Sequence, residues 1–166
     1  MKNKIIALFL MGFSTFMFAQ ETKEREIHTK DSNTNHLKWE DNFDEAKEIA
    51  SKQNKPLLLF FTGSDWCGPC KMLHKDFFES EKFVNLAKKE LILYEADFPR
   101  RKDLLTPEKR KENYKLQSKY GVRGYPTIVI LSSKGKELGR QKGYSFTMRD
   151  SEAHFTLINE VIKSNN

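Results

Sequence analysis

The sequence predicts an α/β domain, with a central mixed sheet of four to five strands flanked by helices. Three observations carry this. Leu57-Leu58-Leu59-Phe60-Phe61, Leu91-Ile92-Leu93-Tyr94 and Thr127-Ile128-Val129-Ile130-Leu131 stay apolar at successive positions, as strands covered on both faces do. Between them lie stretches whose apolar residues recur at the helical period. The third run is followed at once by Ser132-Ser133-Lys134-Gly135, which is tight-turn chemistry leading into a returning strand.

The elements follow in order. Asp41 is placed to cap a first helix with Phe43, Ala46, Ile49 and Ala50 on one face, ended by Lys55-Pro56. The strand Leu57–Phe61 leads into a loop, Thr62-Gly63-Ser64-Asp65. A helix from Cys67 presents Leu73 and Phe77, and a second helical segment presents Phe83, Leu86 and Ala87 before the strand Leu91–Tyr94. Thr106-Pro107 reads as a cap followed by proline in the first turn, opening a helix that runs to about Tyr120 and stops at Gly121. The β-branched run Thr127–Leu131 is a strand, a partner returns near Glu137–Gln141, and a last helix carries Phe155, Ile158, Val161 and Ile162. Strands joined through helices are expected to be parallel and the last pair antiparallel.

A chain of 166 residues suits one such domain. Two cysteines exclude a multi-disulfide scaffold and a self-contained four-cysteine metal site. Lys2 and Lys4 precede an apolar run from Ile5 to Ala19, after which the composition turns polar at Gln20. That pattern is a secretory signal peptide cleaved near Ala19, too short to anchor in a bilayer. The expected organisation is therefore a signal peptide at 1–19, a disordered polar tether at 20–36 and a folded domain at 37–166, placing the mature chain in the periplasm or outside the cell. Without Lys2 and Lys4, 27 basic side chains face 23 acidic ones. Much of the excess sits between Phe98 and Asn113, which reads as a solvated loop and not as a nucleic-acid surface.

Trp66-Cys67-Gly68-Pro69-Cys70 stands after a buried strand and loop, at the start of a helix. The free amides of a helix N-terminus stabilise a thiolate at the first cysteine. Two intervening residues bring the second sulfur within bonding range, and Pro69 stiffens the turn. A structural staple closing so short a loop would remove little chain entropy. Haem attachment needs histidine where Lys71 stands. Cys67, Cys70 and His74 are three potential metal ligands without an evident fourth, so no metal site is assigned. The chemistry that remains favoured is reversible opening and closing of the Cys67–Cys70 pair, with no other cofactor.

The Trp-Cys-Gly-Pro-Cys segment is similar to the active site of thioredoxins, and Tyr120-Gly121-Val122-Arg123-Gly124-Tyr125-Pro126-Thr127 resembles that family's cis-proline segment. Gly135 and Gly143 fall where the family keeps a hairpin turn and a substrate-facing loop. With the leader, the chain looks most like secreted thioredoxin-like proteins. The resemblance implies a thioredoxin fold over about residues 40 to 163. It implies Cys67 and Cys70 as the catalytic pair, Gly68 and Pro69 as the active-site turn, and Trp66, Tyr125, Pro126 and Gly143 as the substrate-binding surface. The family's buried aspartate, six residues before the first cysteine, falls on Phe61, and its lysine partner falls near Leu93. The proton acceptor for Cys70 is left open, with Glu95 and Asp65 as candidates otherwise read as solvated. His154 is read as solvent-facing, His74 likewise with tuning of the thiols as its alternative, and His28 and His36 as solvent-facing parts of the tether.

The resulting expectation is a monomeric thiol–disulfide oxidoreductase that reduces disulfides of exported proteins and is recharged by a membrane electron donor. Oxidase or isomerase action on the same residues, a metal-trafficking module and a redox-inert binding scaffold are the alternatives.

Overall fold

The computed structural model describes residues 37–165; the leader, the tether to residue 36 and Asn166 lie outside them. Five strands form one mixed sheet in the order β1-β3-β2-β4-β5. They are β1 (Trp39–Glu40), β2 (Leu57–Thr62), β3 (Ile92–Asp97), β4 (Thr127–Leu131) and β5 (Glu137–Lys142). The helices are α1 (Phe43–Gln53), α2 (Gly68–Leu73), α3 (Glu81–Glu90), α4 (Pro107–Lys119) and α5 (Glu152–Asn165). A π-helical turn, His74–Phe78, continues α2, and a 3-10 turn, Lys102–Leu104, precedes α4.

Strand parity divides the core into two layers. Leu58, Phe60, Leu93, Ile128 and Ile130 face Cys67, Cys70, Phe77, Phe78, Phe83 and Phe155 from α2 and its N-cap, the π-helical turn, α3 and α5. Leu57, Leu59, Phe61, Tyr94 and Val129 face Phe43, Ala46 and Ala50 of α1 and Leu116 and Tyr120 at α4. Burying a side chain such as Phe60 or Phe61 from water contributes about 1.5–3 kcal/mol, so a run apolar on both faces makes β2 the centre of the sheet.

Three expectations are corrected. Asn42, not Asp41, caps α1, its side chain accepting from the amides of Asp44 and Glu45. A short first strand, β1, pairs parallel with Leu93 and Tyr94 at the sheet edge; two residues carry no periodicity from which to read it. Most consequentially, β4 runs antiparallel to β2, although a helix separates it from β3. Helix α4 does carry the chain away from the end where β3 finished, for the Tyr120 carbonyl lies against Arg140, which pairs with mid-strand Val129. Gly121–Pro126 then carries it back, so β4 starts at Thr127 opposite Phe61. Pro126 thereby lies at the end of the sheet where β2 runs into the cysteine loop.

Candidate active site

Cys67 and Cys70 are joined by a disulfide, with Cα atoms 5.2 Å apart. Cys67 is the N-cap of α2, and its sulfur accepts from the Cys70 amide at 3.3 Å. Gly68 and Pro69 fill the first turn, where a missing proline N–H leaves no bond unmade. Both cysteines are buried, at 4% and 1% exposure. On reduction the amide and the helix dipole remain aimed at Cys67, which favours its thiolate.

Trp66 is held beside the pair. Its indole N–H donates to the Phe98 carbonyl at 2.9 Å, the Arg100 guanidinium lies 4.9 Å from its ring, and Tyr125 meets it edge-on at 5.8 Å. Asp65 accepts from the Arg100 and Arg101 amides, each at 3.0 Å, and these bonds, Arg101's foremost, hold its carboxyl below the usual range. The Asp97 carboxylate accepts from the amide and hydroxyl of Ser64. The segment after β3 is thus not a solvated loop. Phe98 is buried and stacks on Tyr125, and Asn113 is fully buried, donating to the Asp97 carbonyl at 2.8 Å and accepting from the Tyr94 hydroxyl. Some of its basic side chains turn inward, Lys109 over the Tyr94 ring and Arg110 onto the Pro99 and Arg101 carbonyls, while its backbone buttresses the cysteine loop.

Trp66, Tyr125 and Pro126 therefore gather at one end of the sheet with the cysteines. The Tyr125–Pro126 peptide is cis, and the Gly143 amide donates to the Pro126 carbonyl at 2.8 Å. Beyond Gly143 stands a neighbour that the sequence pattern did not single out. Phe146, 59% exposed, lies with its ring tip 3.0 Å from where a Cβ on Gly68 would sit. Its loop is pinned by Asp76, which accepts from the Tyr144 hydroxyl and from two nitrogens of Arg149. Those partners, Arg149 first, hold the Asp76 carboxyl down at about 2. A lone phenylalanine between polar residues has no periodicity to mark it; only the contact with Gly68 does.

Behind Cys70 is a cavity of about 250 Å³ whose walls include Phe60, Thr62, Lys71, His74 and Glu95. Here the expected alignment is corrected. Phe61 lies in the opposite layer, stacked near Phe98, and it is Phe60 that faces the cysteines. Counting six residues back from Cys67 does not preserve parity, because the turn Gly63–Trp66 intervenes between strand and helix. The Phe60 partner on β3 is Glu95. This carboxyl is not a solvated surface group. It is partly buried in a strand buried at every other position, and burial, with Asp97 adding and Lys109 opposing, pushes it up to about 7. His74 is half-exposed and pairs with Glu79 at 3.1 Å. His154 is also corrected: it is buried against Phe77 and Tyr144, its Nδ1 has no partner among the described residues, and burial lowers it to about 4.

Comparison with known proteins agrees with this geometry. Residues 43–155 match the family model of the thioredoxin-like domain. The disulfide bond reductase DsbH of Chlamydia pneumoniae is 38% identical over 104 residues, covering 63% of this chain and 61% of that protein. The thioredoxin-related protein DsbJ of the same organism is 28% identical over 102 residues, 61% of this chain and 29% of DsbJ. The matched regions thus take in less than two thirds of either relative. A solved structure of a DsbH oxidoreductase superposes with a TM-score of 0.67 at 32% identity, covering 77% of this chain and 85% of that one.

Proposed function

The chain belongs to the thioredoxin-like domain family, and from that membership we propose that it is a thiol–disulfide oxidoreductase, reducing disulfide bonds of other exported proteins. One observation carries the reading: a disulfide that opens on the N-terminus of α2, with the Cys70 amide already donating to the Cys67 sulfur. In the reduced protein the Cys67 thiolate attacks one sulfur of a substrate disulfide. The bond between the substrate sulfurs breaks, one sulfur leaves as a thiolate, and a mixed disulfide joins Cys67 to the other. Cys70 then gives up its proton and attacks the Cys67 sulfur, the mixed disulfide breaks and the second substrate thiolate departs. Two electrons have passed to the substrate, and the protein is left oxidised.

Trp66, Tyr125, Pro126 and Gly143, joined by Phe146, form the rim that receives the substrate chain. Large aromatic faces suit this task, because they bury much area while fixing few torsions. The Gly68-Pro69 turn and the likeness to a protein called a disulfide bond reductase favour reduction over oxidation or isomerisation by the same residues. A reductant outside the cytoplasm must be recharged, so a membrane dithiol donor is the expected partner. Export rests on the leader 1–19, which lies outside the described residues, and on the likeness to Dsb proteins. No helix among the described residues is long and apolar enough to cross a membrane.

The test is reduction of insulin disulfides by the reduced protein. Turnover is expected in the parent and absent in Cys67→Ser. An inactive parent, or an active Cys67→Ser, would overturn the reading.

A further inference from the structure

The second half of that cycle poses a problem of proton balance. Cys70 is 1% exposed. A thiol titrates near 8.5 in water and higher when buried in apolar surroundings, so at neutral pH Cys70 carries a proton that must leave before its sulfur can attack. Bulk water does not reach it from the substrate side, where Cys67 and the mixed disulfide stand. What it does face is the cavity of about 250 Å³ behind α2, large enough for water and walled by three titratable side chains. Lys71 cannot accept a proton while charged. His74 is half-exposed and turned to Glu79. Glu95 remains.

We propose that Glu95 is the proton acceptor for Cys70, taking the thiol proton across the water of this cavity as Cys70 attacks the mixed disulfide. The proposal rests on the oxidoreductase reading and adds a residue to it. The bookkeeping of the step is closed within the molecule. The Cys70 S–H bond breaks and its proton passes to the Glu95 carboxylate. The Cys70–Cys67 bond forms as the bond from Cys67 to substrate breaks, and the electron pair leaves on the substrate sulfur. The proton then returns to solvent through the open side of the cavity.

Geometry supports Glu95 before its charge does. It is the one partly exposed position of β3, set opposite Phe60 in the layer that holds both cysteines. Among the described residues no hydrogen bond satisfies its carboxyl, which leaves the lone pairs free for a proton. The titratable groups around it are Asp97 on its own strand, Lys109 from α4, and Lys71 and His74 across the cavity, while Phe60 and Thr62 of β2 bring none. Burial and Asp97 outweigh Lys109 and leave the carboxyl titrating at about 7, matched to accepting and releasing a proton near neutrality. The strand pairing also explains why an acid is tolerated beside a core phenylalanine, since its far side opens into the cavity.

The experiment mixes reduced protein with an aryl disulfide whose released thiolate is coloured, and follows two phases by stopped flow. The first release reports attack by Cys67 and the second reports resolution by Cys70. In Glu95→Gln the second phase should slow at least about tenfold at pH 7, lose its inflection near neutrality and rise with hydroxide. The first phase should stay within about twofold, which also shows that the variant is folded. Glu95→Asp should recover most of the second phase, and His74→Gln should leave the loss unreproduced. An unchanged second phase in Glu95→Gln, an equal slowing of both phases, or transfer of the loss to His74→Gln would overturn the proposal. Insulin reduction by the parent would still stand in each of those cases, so failure of this step and failure of the oxidoreductase reading are told apart.

Discussion

Single side chains decide the chemistry at this site. Cys67 receives an amide hydrogen bond and the end of a helix dipole, whereas Cys70 lies one turn in, facing a cavity. Alkylation of the reduced protein near neutral pH should therefore label Cys67 first, read by peptide mass; faster labelling of Cys70 would reverse the assignment. Gly63 is equally constrained. A Cβ there would fall 2.4 Å from the Trp66 ring, so Gly63→Ala must push the indole off its bond to Phe98. We expect a loss of about 1–3 kcal/mol from overpacking, seen in denaturant unfolding, together with weakened insulin reduction. An unperturbed Trp66 fluorescence in that variant would count against the packing described. The cysteines were legible in the sequence because one residue type, repeated at one spacing, carries the chemistry. Phe146 was not, and Glu95 stood only as one of two candidates read as solvated, because the importance of both arises from what the chain folds against them.

At the scale of elements, two connections hold the reactive end together. The end of β3 and the segment after it grip the cysteine loop through Ser64, Asp65 and Trp66. The loop after β5 is fastened to the π-turn by Asp76. Asp76→Asn should loosen the second connection and with it Phe146. The expected signature is a higher KM for a protein substrate, with Cys67 alkylation unaltered. An unchanged KM would mean that Phe146 does not meet substrate. Buried Asn113 links the first connection to Tyr94, so Asn113→Ala should cost about 1–3 kcal/mol by leaving polar partners unsatisfied, measured by denaturant unfolding. Runs such as Leu57–Phe61 and Thr127–Leu131 were readable as strands because burial on both faces leaves an unbroken apolar signature. The direction of β4 was not readable, because the return of Gly121–Pro126 has no hydrophobic pattern. The same blindness moved the expected acid position by one residue, and in a strand one residue changes the face.

Over the whole molecule, burial of two titratable groups sets the pH response. The folded state raises Glu95 to about 7, so its contribution to stability is full below the ordinary glutamate range and is lost as pH rises through 7. His154, lowered to about 4, works in the other direction: its contribution is present above about 6.5 and lost as pH falls through 4. The two oppose each other between about pH 4.5 and 6.5, and above that only Glu95 changes. Unfolding free energies taken from pH 5 to 8 should show Glu95→Gln gaining on the parent by roughly 2–3 kcal/mol across the range. A constant difference between the two would show that Glu95 titrates as a free surface group.

The central claim is that Cys67 carries the substrate and Cys70 releases it, and the most direct measurement is a trap. Reduced Cys70→Ser incubated with a disulfide-bonded protein should accumulate a covalent adduct, mapped by mass spectrometry to Cys67, that a strong thiol dissolves. Reduced Cys67→Ser under the same conditions should accumulate none. An adduct on Cys70, or none in either variant, would contradict the account.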